Sequence, residues 1–280
     1  MQPETLGAAL QAARQRLAAT SPTAALDARL LLQAAAHVGH AEIIAHPERV
    51  LTTDQAVRFE ALVRRRLAHE PVSRILGERE FYGRSFAVTP AVLDPRPDTE
   101  TLIDAALAVM PGHARILDLG TGSGIIAVTL MCEWADATGL AVDISGDAIA
   151  VARHNAGRHD VLDRLSFDQG SWFAPVAGTF DLILSNPPYI PDAEIGALAP
   201  DVRDFDPRVA LAGGVDGLVP YRIIATGSAH HLKPGGHILV EIGAGQADAV
   251  VAIFKAAGFA CAGRHLDLAG HVRCLRFSRD

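Results

Sequence analysis

From residue 115 onward, short apolar runs alternate with stretches of helical periodicity, and this alternation limits the possible folds more than any other feature. The runs are RILDL at 115–119, GLAVD at 139–143, LSFD at 165–168, FDLILS at 180–185 and HILVEI at 237–242, and helical patterns begin at Ile125 and Gly146. A parallel return between neighbouring strands needs a crossover, and helices must then cover both faces of the sheet. The sequence therefore predicts an α/β fold with a doubly wound, mostly parallel sheet.

The N-terminal part has a different pattern. Apolar residues recur at helical spacing from Leu6, Ser21-Pro22 resembles a helix N-cap with proline at the first position, and Thr52-x-x-Gln55 fits a capping box. Short aromatic runs then flank a turn at Gly83-Arg84. We predict a helical, substrate-docking domain over 1–75, a β-hairpin linker over 76–93 and the main domain over 94–280.

Charge and composition exclude several classes of protein. With 25 basic and 32 acidic residues the net charge is −7, so the chain offers no broad basic surface, and the arginines at 64–66 are expected on a solvated helix face. No secretory h-region or apolar run of membrane-spanning length occurs. Cys132, Cys261 and Cys274 lie far apart, and the histidines lack ligand spacing. We expect a cytoplasmic protein with packing thiols, no metal, no membrane contact and no direct nucleic-acid binding.

A glycine-rich turn, Gly120-Thr121-Gly122-Ser123-Gly124, lies between a predicted strand and a predicted helix. Glycines let the backbone approach a ligand closely and leave helix N-terminal amides free. The spacing differs from the dinucleotide fingerprint and from the phosphate-binding loop, which disfavours NAD chemistry and ATP hydrolysis. A tight turn that binds no ligand is the alternative.

Asp143 ends the next predicted strand. In doubly wound nucleotide-binding folds a carboxylate at this place binds ribose hydroxyls. Its negative charge would repel a 2′-phosphate, so we predict an unphosphorylated nucleoside. A solvated acid or a helix N-cap is the alternative.

The segment Asn186-Pro187-Pro188-Tyr189 follows the run FDLILS. Consecutive prolines cannot continue a central strand, so they predict a stiff turn at the edge of the sheet where ligands bind. The Asn186 side chain and the Pro187 carbonyl can both accept hydrogen bonds from one planar NH₂ group, and Tyr189 offers a ring face. A simple proline turn with asparagine as a cap is the alternative.

Together, DLGTGSG at 118–124, AVDIS at 141–145 and SNPPY at 185–189 resemble the class I methyltransferases, which have a Rossmann-like fold and transfer a methyl group from S-adenosylmethionine. That superfamily also includes adenine-N6 and guanine-N2 enzymes. Further segments are similar to the peptide chain release factor glutamine N5-methyltransferase family: RRRLAHEPVSRILGEREFYG at 64–83, PRPDTE at 95–100, VALAGGVDGL at 209–218 and LKPGGHILVEIG at 232–243.

The resemblance implies a cofactor, a substrate and a set of site residues. S-adenosylmethionine would be held by Gly120, Thr121, Gly122, Ser123 and Gly124 at its methionine part, by Asp143 at its ribose, by Trp172 near its adenine, and by Asn186. The substrate glutamine would meet Asn186, Pro187, Pro188 and Tyr189, of which Asn186, Pro187 and Tyr189 are the expected catalytic residues. The implied reaction methylates the N5 of glutamine in the Gly-Gly-Gln motif of class 1 release factors, and we expect a monomer.

Several alternatives stay open. Trp172 is either a cofactor contact or a core aromatic residue. Arg96 and Glu100 either border the acceptor pocket or belong to a helix start capped by Asp98. A nucleic-acid methyltransferase and a nonenzymatic cofactor-binding protein are the competing functions. The family commonly has Glu-Pro where this chain has Asp206-Pro207, and the long irregular segment 190–218 is a candidate functional loop.

Overall fold

The computed structural model describes residues 4–279, which form two compact units. The first unit contains the chain up to Glu78 together with an insertion, Ala199–Phe205, and the second contains the chain from Arg79 onward without that insertion. The domain boundaries drawn from the sequence remain a prediction.

The first unit is helical. Its helices before Glu78 are α1 (Leu6–Leu17), α2 (Ala24–Ala36), α3 (His40–Ala45), α4 (Thr53–Leu67) and α5 (Val72–Leu76). The predicted capping box is confirmed, since the Thr52 hydroxyl accepts from the Gln55 amide and the Gln55 side chain accepts from the Thr52 amide. The predicted helix start at Ser21-Pro22 is wrong: α2 begins at Ala24 after the N-cap Thr23.

An ion pair lies inside this helical unit. Arg66 Nε donates to Asp27 Oδ2 at 2.7 Å, and both side chains are buried. The hydroxyls of Ser21 and Thr23 donate to the same carboxylate, at 2.7 and 2.9 Å. Ser21 therefore satisfies a buried acid instead of starting a helix.

The expectation of a solvated arginine run at 64–66 is wrong for Arg66, which points into the unit. Arg64 pairs with Glu60 at 2.8 Å, and Arg65 pairs with Glu70 at 2.5 Å. Each of the three positive charges thus faces a carboxylate of its own unit.

The second unit contains two sheets. Strands β1 (Glu78–Phe81) and β2 (Arg84–Ala87) form a two-stranded sheet around a turn at Tyr82-Gly83. The larger sheet contains β3 (Arg115–Leu119), β4 (Thr138–Asp143), β5 (Leu165–Gln169), β6 (Phe180–Ser185), β7 (Leu232–Glu241), β8 (Ala260–Leu266) and β9 (Val272–Ser278). Its order is β5-β4-β3-β6-β7-β9-β8, with β9 antiparallel to β7 and β8 and the other pairs parallel.

Helices cover both faces of the seven-stranded sheet, which confirms the doubly wound fold. The remaining helices are α6 (Glu100–Val109), α7 (Ile125–Glu133), α8 (Gly146–Arg158), α9 (Pro200–Arg203, in the insertion), α10 (Val219–His231) and α11 (Ala247–Ala256). Alternate strand residues enter opposite cores: Ile116 packs with the cluster of α6, α7 and α8, and Leu117 packs with that of α10 and α11. Burial on both faces explains why the central strands read as continuous apolar runs.

The strand order reverses direction between β3 and β6. The chain passes from β3 outward through β4 to β5 and then returns to place β6 on the other side of β3. The crevice at the carboxyl ends of two such strands is where open α/β sheets bind ligands.

Residues 4–279 include no helix that is long and apolar enough to span a bilayer. Over the same range, no group of three or more His, Cys, Asp and Glu side chains is arranged to hold a metal ion. The cysteines are free; Cys274 is buried and Cys132 half-buried, but Cys261 is exposed, so a packing role is wrong for Cys261.

The buried ion pair gives the first testable prediction. Arg66→Ala leaves the Asp27 carboxylate buried without its cation, so the free energy of opening α2, measured by native-state hydrogen exchange, should fall by about 3–5 kcal/mol. Arg64→Ala is the matched control, because its exposed pair with Glu60 is worth only about 0.5 kcal/mol. Equal effects of the two substitutions would contradict a stabilising role for the buried pair.

Candidate functional site

A cavity of about 430 Å³ opens at the carboxyl ends of β3, β4 and β6, within the second unit. This volume lies in the range of small-molecule sites. Of the residues expected at the site, it is lined by Gly120, Thr121, Gly122, Ser123, Asp143, Trp172, Asn186 and Pro188. Gly124, Pro187 and Tyr189 are not among the lining residues.

The glycine-rich turn has the backbone geometry that its sequence predicts. Gly120, Gly122 and Gly124 have φ of 72°, 56° and 81°, in the left-handed region that favours glycine. A Cβ at Gly120 or Gly122 would meet no protein atom within 4 Å, so both glycines leave open space beside the cavity. At Gly124 a Cβ would lie 3.1 Å from the Ala152 Cβ, so this glycine lets α7 pack closely on α8.

Asp143 fastens the turn to the end of β4. Its Oδ2 accepts a hydrogen bond from the Gly122 amide and its Oδ1 accepts one from the Ser145 amide, both at 2.9 Å. Ser145, and not Asp143, is the N-cap of α8. Each carboxylate oxygen still has lone-pair capacity for a further donor in the cavity.

A second carboxylate lies beneath the turn. Asp118, at the end of β3, is fully buried and accepts a 2.7 Å hydrogen bond from the Thr121 hydroxyl. Burial raises the pKa of Asp118 to about 7, and the Thr121 hydrogen bond acts in the opposite direction. Asp118 belongs to the motif DLGTGSG, but residue type and spacing alone predicted no role for it.

Asn155 on α8 is a further residue that the sequence reasoning missed. It is fully buried; its Nδ2 donates to the carbonyls of Ser123 at 2.8 Å and Ala87 at 3.1 Å, and its Oδ1 accepts from the Ala87 amide at 2.7 Å. Asn155 thus ties the glycine-rich turn to β2. An asparagine on the apolar face of a predicted helix was the available signal.

Trp172 combines features of both expected roles. It lines the cavity and also packs against the apolar cluster of α10 and α11. Its φ of 51° is unusual for a bulky residue and is held by the surrounding structure.

Behind Asn186 lies a chain of polar groups. Asn186 Nδ2 donates to Thr99 Oγ1 at 3.2 Å, and the Thr99 hydroxyl donates to Glu241 Oε2 at 2.7 Å. Thr99 and Glu241 are buried. Burial raises the pKa of Glu241 to about 7, while hydrogen bonds from Thr99 and Asn186 and the positive charge of Arg273 favour the ionised form. Neither Thr99 nor Glu241 was singled out from the sequence.

The two prolines separate the polar end of this segment from its aromatic end. Pro188 lines the cavity beside Asn186, and Pro187 is buried. The Tyr189 ring packs against the α10 and α11 cluster instead of lining the cavity, and burial raises its pKa to about 12. Tyr189 therefore anchors the turn in the core.

The segment 211–217 packs directly on this turn. Ile190 donates to the Leu211 carbonyl at 3.1 Å, and Gly213 donates to the Ile190 carbonyl at 2.8 Å. A Cβ at Gly217 would overlap the Tyr189 carbonyl oxygen, which accepts a 3.0 Å hydrogen bond from Gln246 Nε2. The candidate loop 190–218 is therefore ordered where it meets the site.

Arg96 lines the cavity and donates to Asp206 Oδ2 at 2.8 Å. The Asp206 carboxylate is fully buried and also accepts from the Asp94 amide at 3.0 Å. The Asp206 side chain, although shorter than that of glutamate, therefore reaches Arg96.

The other acidic residues of PRPDTE have structural partners. Glu100 is not among the cavity-lining residues and accepts a 2.9 Å hydrogen bond from the Tyr82 amide in the β1–β2 turn. Of the two alternatives left open, capping by Asp98 is wrong, because Asp98 pairs with Arg273 at 3.2 Å and neither α6 nor the short 3₁₀ helix before it has a side-chain cap.

Comparison with known proteins gives consistent matches. The family described as PrmC N-terminal domain matches residues 8–77, and the one described as methyltransferase small domain matches residues 98–199. A release factor glutamine methyltransferase of Cereibacter sphaeroides is 50% identical over 95% of both chains. One of Agrobacterium fabrum is 43% identical over 98% of both chains.

Solved structures share the fold over about 70% of this chain at low sequence identity. A methyltransferase from Pyrococcus furiosus is similar with a TM-score of 0.54 and 17% identity, covering 70% of this chain and 89% of its own. A ribosomal protein L11 methylase from Lactobacillus delbrueckii subsp. bulgaricus has a TM-score of 0.52 and 19% identity, covering 72% and 90%. These likenesses support the fold alone.

The packing of segment 211–217 is testable by substitution. Gly217→Ala should lower the free energy of unfolding by about 1–2 kcal/mol for a left-handed alanine and by a further ~1–3 kcal/mol for the overlap with Tyr189. Gly235→Ala is the matched control, because Gly235 has a similar φ of 74° but open space around its Cβ position. Denaturant unfolding followed by circular dichroism measures both. If Gly217→Ala costs no more than Gly235→Ala, the close approach does not hold the turn.

Proposed function

The chain belongs to the release factor glutamine methyltransferase family, and on that premise we propose that it transfers a methyl group from S-adenosylmethionine to the N5 amide nitrogen of glutamine in the Gly-Gly-Gln motif of class 1 peptide chain release factors. One observation carries the proposal. A single cavity contains the glycine-rich turn, the Asp143 carboxylate and the Asn186 amide. Asn186 and the neighbouring Pro187 carbonyl are hydrogen-bond acceptors suited to a primary amide.

The residues present fit the cofactor. The open space beside Gly120 and Gly122 admits the methionine part, and the remaining lone pairs of Asp143 suit ribose hydroxyls. We assign Trp172 to the adenine side of the cavity. When bound, S-adenosylmethionine supplies an electrophilic methyl group.

The protein's task is to orient a weak nucleophile. The lone pair of an amide nitrogen is delocalised into its carbonyl group. Within residues 4–279, no hydrogen bond reaches Asn186 Oδ1 or the Pro187 carbonyl oxygen from another protein group. We assign these two oxygens to the two amide hydrogens, where they stabilise the positive charge that develops on nitrogen.

The transfer itself needs alignment more than acid–base chemistry. The glutamine nitrogen forms a bond to the methyl carbon while the carbon–sulfur bond breaks and its electron pair stays on sulfur. Holding nitrogen, carbon and sulfur in line removes most of the entropic cost of the reaction. The nitrogen then loses a proton to water, because an N-protonated amide is strongly acidic. Asn186 and Pro187 remain the proposed catalytic residues, and we assign Tyr189, the third residue expected to be catalytic, the positioning role of anchoring the turn.

Charge supports a protein substrate over a nucleic acid. The net charge is −7, and the one run of three arginines, 64–66, is neutralised by Asp27, Glu60 and Glu70. We propose that the protein acts as a cytoplasmic monomer and that the helical unit contacts the release factor outside its Gly-Gly-Gln loop. Ile44 and Val57 are exposed apolar residues of that unit.

Cofactor binding tests the assignment of Asp143. Asp143→Asn loses the charge and replaces one of the two acceptor oxygens with an NH₂ group, so the affinity for S-adenosylmethionine measured by calorimetry should fall by about ten- to a hundredfold, the equivalent of roughly 1.5–3 kcal/mol. Asp147→Asn, an exposed carboxylate in the first turn of α8, is the control and should bind normally. Unchanged affinity of Asp143→Asn would remove Asp143 from the cofactor site.

Substrate identity is the central experiment for the proposed function. The protein is incubated with labelled S-adenosylmethionine and either an intact class 1 release factor, the same factor with Gly-Gly-Gln changed to Gly-Gly-Glu, or duplex DNA and RNA. Mass spectrometry should locate the label on the motif glutamine of the intact release factor. The Gly-Gly-Glu factor, the DNA and the RNA should remain unlabelled. Labelled adenine or guanine with an unlabelled release factor would establish the nucleic-acid alternative instead.

The Asn186→Ala protein is the control for the chemical step. Its single-turnover rate on the release factor should be about 10²–10³-fold below that of the unsubstituted protein, because one preorganised hydrogen-bonding group is lost. Its cofactor affinity should change far less than its rate.

A further inference from the structure

The polar chain behind Asn186 joins three distant parts of the sequence. Asn186 follows β6, Thr99 precedes α6, and Glu241 ends β7. Thr99 is 1% exposed and Glu241 is 2% exposed, so water does not compete for their hydrogen bonds. Buried polar groups of this kind are costly unless they are fully paired.

The hydrogen bonds of this polar chain all run in one direction, from Asn186 through Thr99 to Glu241. An ionised carboxylate can only accept hydrogen bonds, so Glu241 commits the single hydroxyl hydrogen of Thr99. The Thr99 oxygen can then only accept from Asn186. The amide of Asn186 must therefore present Nδ2 to Thr99, which leaves Oδ1 on its other side.

We propose that Thr99 and Glu241 are positioning residues that fix the orientation of the Asn186 amide, so that an acceptor oxygen and not an NH₂ group meets the substrate. The inference rests on the proposed role of Asn186 toward the glutamine amide. A reversed Asn186 would place an NH₂ group against the NH₂ group of the substrate and would lose one of the two acceptors.

The surroundings of Glu241 make this orientation sensitive to pH. The cation of Arg273 on β9 favours the carboxylate, as do hydrogen bonds from Thr99 and directly from Asn186, and Asp98 opposes it. Tyr189, Tyr221 on α10 and Cys274 on β9 also interact electrostatically with Glu241.

Burial raises the pKa of Glu241 to about 7. Below that pH the protonated acid can donate to Thr99, whose hydroxyl is then free to donate to Asn186 Oδ1. The productive orientation is therefore expected above pH 7 and is lost as the pH falls.

The first test removes one hydroxyl. Thr99→Val should lower the single-turnover rate at saturating cofactor and release factor by about ten- to a hundredfold, as expected for a lost hydrogen bond to a charged group. Because Thr99 also borders the cavity, cofactor affinity is measured beside the rate and should change far less. Thr99→Ser should restore the rate. Thr129→Val is the matched control, because Thr129 is also fully buried and no protein group within residues 4–279 is hydrogen-bonded to its hydroxyl.

The second test uses the pH dependence. Glu241→Gln keeps the size of the side chain but can donate to Thr99 at every pH. The ratio of the wild-type rate to the Glu241→Gln rate should be about tenfold smaller at pH 6 than at pH 8, because the ionised fraction of Glu241 falls by that factor across a pKa of about 7. Because Asp118 is present in both proteins, its own titration near pH 7 cancels in this ratio.

The outcomes separate this inference from the proposed function. A wild-type protein that leaves the release factor unlabelled overturns both. If the wild type is active but Thr99→Val is as fast as Thr129→Val, only the positioning role is overturned. The same holds if the ratio of the wild-type rate to the Glu241→Gln rate does not vary with pH. Rescue by Thr99→Ser together with a ratio that falls toward pH 6 supports it.

Discussion

The parallel pairing of β3 with β6 is the constraint on which the site depends. Asp118 is in register with Leu184, so the two strands end at the same edge of the sheet. The glycine-rich turn leaves β3 there, and Asn186 leaves β6 beside it. The turn proposed to hold the cofactor and the turn proposed to hold the acceptor are therefore brought together by backbone pairing.

Three carboxylates lie in the last two residues of the strands around this edge, and their surroundings give them different roles. Asp143 is half-buried, holds two backbone amides and keeps lone pairs for a ligand. Asp118 and Glu241 are fully buried, and burial raises the pKa of each to about 7. Both accept a hydrogen bond from a threonine hydroxyl, so they act on groups in the cavity through a neighbour.

The sequence predicted the parts of the fold whose signal is local. RILDL and FDLILS match β3 and β6 because burial on both faces produces continuous apolar runs, and the capping box at Thr52 needs only four residues. Strands β8 and β9 were missed; β8 is largely exposed at the sheet edge and has no apolar run. The helix start predicted at Ser21 is wrong because the Ser21 hydroxyl donates a hydrogen bond to Asp27, a partner that the local sequence does not indicate.

The site was predictable to the same extent. The sequence indicated the glycine-rich turn, Asp143 and Asn186 because residue type and spacing alone predict that they bind a ligand, and the structure places them around one cavity. Thr99, Glu241, Asn155 and Gln246 were missed because each acts through a partner far away in sequence. The domain boundaries and the individual site roles stay predictions.

The most direct measurement is a crystal structure of the protein with S-adenosylhomocysteine and a release factor or peptide that presents Gly-Gly-Gln. The glutamine amide nitrogen is expected within hydrogen-bonding distance of both Asn186 Oδ1 and the Pro187 carbonyl oxygen, facing the sulfur, with Asn186 Nδ2 still directed at Thr99. A glutamine bound elsewhere, or a cavity whose cofactor does not contact Asp143 and the glycine-rich turn, would contradict the proposed reaction geometry.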